Sequence, residues 1–122
     1  MPKPMTYTIF EYMYRDASNY KAFGLLLLHG DFTEQHEAAI KQRCEDAEYF
    51  VAEQLGIPPL YEQLWDQYGG PNGDDHAWHE FIGLRAPSHD ELIALKAWGT
   101  LEDMLVRFRS KQNWKLELSP NA

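Results

Sequence analysis

The chain has 122 residues, 44% of them hydrophobic and 14% aromatic, and a formal charge of −8 from 11 basic and 19 acidic side chains. That length fits one domain (1–122) with one sizeable core, and so much apolar surface offsets chain entropy and excludes a disordered chain. The single cysteine excludes a disulfide framework and a multi-cysteine zinc site, and apolar runs such as Leu25–Leu28 fall far short of the roughly 20 residues of a membrane span.

The start, Met1-Pro2-Lys3-Pro4-Met5, holds no apolar stretch suited to an export signal. The expectation is a soluble, cytoplasmic protein with flexible ends at 1–5 and 119–122. From Thr6 to Tyr14 the chain is dense in β-branched and aromatic residues and predicts a strand. Alternation puts Phe10, Tyr12 and Tyr14 on one face and Tyr7, Ile9 and Met13 on the other, so both faces are apolar. Turn-rich Arg15-Asp16-Ala17-Ser18-Asn19 then leads into Tyr20–Leu28, a hairpin partner, although four leucines suit a helix equally well.

Asp31 or Thr33 caps a predicted helix through about Asp46, and Tyr49-Phe50-Val51-Ala52 predicts a third strand. Pro59 opens a helix whose Leu60, Tyr61, Leu64, Trp65 and Tyr68 form one apolar stripe, ended by Gly69-Gly70. After the turn Pro71–Asp74, His76–Leu84 fits either period; an Asn-Gly turn just before it favours a strand. Ser88 and Glu91 match a capping box for a helix running to Gly99. Thr100 caps the next, with Leu101, Met104, Leu105 and Phe108 on its apolar face, and Trp114–Leu118 alternates like a short edge strand. The order β-β-α-β-α-β-α-α defines an α+β fold with a small, mostly antiparallel sheet of about four strands packed against helices.

Charge is unevenly spread. Residues 31–80 hold twelve acidic side chains against only Lys41 and Arg43. A field of this sign repels phosphate backbones, so direct nucleic-acid binding is not expected. Such a stretch is most simply a solvated surface, and more sharply a face that docks a basic protein partner.

Asp74-Asp75-His76-Ala77-Trp78-His79-Glu80 is the densest group of potential metal ligands and proton carriers. On a helix His76, His79 and Glu80 converge on one divalent metal; on a strand the two imidazoles point apart. The plainer reading is a turn followed by histidines bonded within the fold. Cys44 lies among carboxylates that raise its thiol pKa, which favours core packing over nucleophilic chemistry. The glycines at 69–73 lack the Lys-Ser/Thr ending of a phosphate loop.

Tyr12, Tyr14 and Tyr20 flank a turn that carries Arg15 and Asp16, a composition equally suited to a binding surface or a core. Arg85 is placed to pair with Asp74 or Asp75, or to hold an anionic ligand. Together these features favour a non-catalytic interaction module that binds a macromolecular partner through an acidic, aromatic-flanked surface. The alternatives are a metal-dependent enzyme or metal-binding domain built on the Asp74–Glu80 segment, and an acidic mimic of nucleic acid. A two-fold homodimer is the default for so small a domain.

Overall fold

The computed structural model describes residues 6–15, 21–60, 63 and 78–110. Five strands form one mixed sheet: β1 (Tyr7–Arg15), β2 (Lys21–His29), β3 (Tyr49–Val51), β4 (Trp78–Arg85) and β5 (Ala97–Thr100), in the spatial order β3-β4-β1-β2-β5. Among the described residues three α-helices accompany them, α1 (Glu34–Arg43), α2 (His89–Ala94) and α3 (Leu101–Arg109), with a short 3-10 turn at Ala52–Leu55. This is the expected α+β class.

β1 and β2 pair along nine residues, from Tyr7 opposite His29 to Arg15 opposite Lys21. That long antiparallel register resolves the leucine run as strand, since propensity yields to cross-strand packing. At its middle Tyr12 faces Gly24, and a Cβ on Gly24 would lie 2.5 Å from the Tyr12 ring. Glycine is required there because the buried Tyr12 ring occupies the space a Cβ would take. β4 pairs antiparallel with β1, and a register shift between Glu11 and Tyr12 leaves Ile82 as the extra residue on β4.

One face of the sheet carries Phe10, Tyr12, Tyr14, Ala22, Leu26, Leu28, Phe50, Phe81 and Leu84, packed in one core with Ile40 of α1 and Leu101, Met104, Leu105 and Phe108 of α3. Phe10 sits at the centre, with the rings of Tyr12, Phe50, Phe81 and Phe108 between 5.2 and 6.1 Å away. The opposite face buries Ile9, Met13, Leu27 and Val51 but exposes Phe23 and Leu25.

The helix starts follow the sequence closely. Thr33 caps α1, its hydroxyl accepting from the His36 N–H, while the His36 ring Nδ1 accepts the Thr33 N–H at 2.9 Å. Ser88 and Glu91 close the capping box of α2, and Thr100 caps α3 through the Asp103 N–H. The helix end predicted at Gly99 is corrected. α2 stops at Ala94, and Ala97–Thr100 instead forms β5, pairing parallel with the end of β2. The backbone groups of Leu27–His29 offer a ladder that a four-residue stretch with no strand pattern can complete. α1 likewise ends at Arg43, short of Asp46. The helix predicted from Pro59 to Tyr68, apart from Pro59, Leu60 and Gln63, and the strand predicted at Trp114–Leu118 lie outside the described residues.

Candidate functional site

β4 settles the geometry of the segment that sequence left open. As a strand it sends His79 inward and Glu80 outward: His79 stands opposite Phe50, and Glu80 opposite Tyr49 and Met13. The two side chains therefore cannot share one metal ion, which corrects the converging arrangement considered for a helix. Among the described residues no group of three or more His, Cys, Asp or Glu is placed to hold a metal. Asp74, Asp75 and His76 lie outside the described residues, as do Asp16 and Tyr20.

His79 is fully buried, with the rings of Tyr12, Tyr14 and Phe50 between 5.2 and 6.2 Å from its own. Its Nε2 accepts the Leu60 N–H at 2.9 Å, which demands a ring unprotonated at that nitrogen. Tyr12 reaches the same segment, its hydroxyl donating to the Pro58 carbonyl at 2.8 Å. Burial raises the Tyr12 phenol well above the ordinary tyrosine range, so it stays a donor. Two core side chains thus clamp Pro58–Leu60, and His79 gives the buried Leu60 N–H a partner it would otherwise lack.

This reassigns three candidates. Tyr12 (2% exposed) and Tyr14 (0%) belong to the core and offer nothing to a partner, and His79 is a structural acceptor. Sequence left core and surface evenly matched for the tyrosines because alternation gives a face, not its cover.

Arg85 is equally committed. Its Nε donates to Glu11, and its two terminal nitrogens form a fork onto Glu91 at 2.7 and 2.6 Å. The Glu91 and Glu11 carboxylates raise the Arg85 pKa further, and Arg85 in turn, helped by the Ser88 N–H, lowers the Glu91 carboxyl to about 2. Among the described residues its carboxylate partners are Glu11 on β1 and Glu91 on α2; the pairing expected with Asp74 or Asp75 lies outside the described residues. With two carboxylates on one guanidinium, little is left for an anionic ligand. Cys44 is buried and its thiol is pushed up to about 12 by desolvation, in keeping with core packing.

What remains at the surface is a different group. After α1 the chain turns through Glu45–Glu48, the Glu48 N–H bonding the Glu45 carbonyl at 3.1 Å, and Glu45 and Tyr49 exchange both backbone bonds at 2.7 and 2.8 Å. Asp46 and Ala47 take φ of 53° and 59°, the left-handed pair of a tight hairpin turn. Glu45, Asp46 and Glu48 are exposed, and among the described residues no lysine or arginine pairs with them.

Beside this turn lies an open hollow of about 340 Å³, lined by Glu45, Asp46, Tyr49 and Trp78. Tyr49 and Trp78 share the outer face, diagonal to each other across the β3–β4 ladder, and both are half-buried. Glu48 above all, with Glu80 and Asp46, raises the Tyr49 phenol, and Arg15 opposes them. Arg15 itself lies 3.8 Å from Glu80. Sequence reasoning saw the acid run but missed Tyr49, Glu45, Asp46 and Trp78 as one group. The missed signal is the Glu45-Asp46-Ala47-Glu48 turn, which carries no glycine or asparagine to announce itself.

No family model matches the chain, and neither a curated protein nor a solved structure matches it. Any functional reading therefore rests on this geometry alone.

Proposed function

We propose that the protein is an interaction module that docks a basic protein partner through the exposed turn Glu45–Glu48 and the half-buried rings of Tyr49 and Trp78 beside it. One observation carries the reading. Three of the five described arginines, Arg15, Arg85 and Arg107, pair with Glu80, with Glu11 and Glu91, and with Asp103, while Glu45, Asp46 and Glu48 have no cationic partner among the described residues. Like charges held together are unfavourable within the fold, and a cationic surface relieves them on contact. Desolvated aromatic area would supply most of the affinity, and charge the orientation and on-rate.

The test is calorimetric titration with a lysine- and arginine-rich peptide at low and high salt, repeated with Glu45→Gln/Asp46→Asn/Glu48→Gln. Binding should weaken by roughly tenfold or more between about 50 mM and 0.5 M salt and be largely lost in the triple variant. An affinity indifferent to both salt and the triple variant would overturn the reading. The metal-dependent alternative finds no supporting observation among the described residues.

A further inference from the structure

We infer that the hollow between Tyr49 and Trp78 is a receptor for a single arginine side chain of the partner, and that it selects arginine over lysine. The inference rests on the docking face proposed above and assigns it a specific anchor. The two residues share one sheet face in diagonal positions and line one open hollow. Among the described residues Tyr49 makes no ring contact, so its face is not already stacked. Two acidic residues, Glu45 and Asp46, line the same hollow.

A hollow lined by two aromatic and two acidic residues fits a flat, weakly hydrated cation. The guanidinium group is planar, stacks on aromatic faces and presents paired N–H donors to a carboxylate. The ammonium of lysine is a strongly hydrated point charge that forfeits more on leaving water.

The same chain already solves this problem once within its own fold. The Arg107 guanidinium lies 4.8 Å from the centre of the Trp98 ring while its Nε donates to Asp103 at 2.9 Å. Trp78 likewise lines its hollow together with Asp46 and Glu45, and among the described residues no arginine lines that hollow. The Arg15 guanidinium acts on Tyr49 and leans on Glu80. It opposes an incoming cation, so removing its charge should tighten binding.

The experiment compares nona-arginine with nona-lysine at about 0.15 M salt, read by amide chemical shifts in the folded protein, for the wild type, Trp78→Leu and Arg15→Gln. Arginine peptide should bind about threefold to tenfold more tightly than lysine peptide, with the largest shifts at 45–49 and 78. Trp78→Leu keeps apolar bulk and should erase the preference; Arg15→Gln should strengthen arginine binding by about twofold to threefold. Should Trp78→Leu fail to fold, Tyr49→Leu serves the same purpose. Equal affinities for the two peptides, or a preference that survives both ring variants, overturns the arginine receptor while leaving the acidic docking face standing. If neither peptide binds even at low salt, both readings fall together.

Discussion

The two ends of β4 hold the same kinds of side chain in opposite states. At the Arg85 end, Glu11 and Glu91 close on one guanidinium, and Glu91 also completes the capping box of α2, so strand and helix are tied together. At the Trp78 end, Glu45, Asp46 and Glu48 project from a tight turn with no such cation among the described residues, beside two half-buried rings. The lesson is that acidity by itself marks nothing. A carboxylate satisfied within the fold is architecture, and one left unsatisfied beside aromatic surface is available to something else.

The sharpest way to break this comparison is on the inner side of the Trp78 end. His79→Ala should lose about 3 kcal/mol in urea denaturation, because it removes a fully buried ring and strands the Leu60 N–H. A loss below about 1 kcal/mol would show that the clamp on Pro58–Leu60 is dispensable. At the other end, Arg85→Ala should cost about 1 kcal/mol, a figure kept small because the guanidinium is 40% exposed and solvent screens it. Neutralising Glu45, Asp46 and Glu48 together should change stability by no more than about 0.5 kcal/mol, and any change should be a gain. A large loss there would mean that the turn is structural after all.

Acid should erase the difference at the Arg85 end. The Glu91 carboxyl is depressed from 4.5 to about 2 in the folded state, so its pairing stabilises fully above pH 4.5 and is lost as pH falls through about 2. Melting temperatures of wild type and Arg85→Ala, followed from pH 6 downward, should accordingly converge across that window. A gap that stays constant to pH 2 would contradict the pairing. The smallest effect concerns the turn itself. Ala47 holds φ at 59°, a region that costs an L-residue about 1 kcal/mol, so Ala47→Gly should stabilise by roughly 0.5 kcal/mol in thermal melts without altering peptide binding.

Much of the fold was legible because it is local. The period-2 aromatics of β1, the Thr33, Ser88 and Thr100 caps, and the apolar stripe of α3 each carry their signal within a few residues. β5 was not legible, since Ala97-Trp98-Gly99-Thr100 becomes a strand only where Leu27–His29 presents free backbone groups. The candidate site fared worse for the same reason. Tyr12, Tyr14 and His79 stand among reactive-looking neighbours in sequence, yet they turn inward to a core assembled from α1, α3 and β3.

By itself the sequence determined the α+β class, the helix starts and the net negative charge, because period, capping and composition act over one or two turns of chain. Only the tertiary structure decided which carboxylates are spent and which remain. Pairing energy depends on distances between residues as far apart as Glu11 and Arg85, or Glu45 and Trp78, and no local pattern encodes those distances.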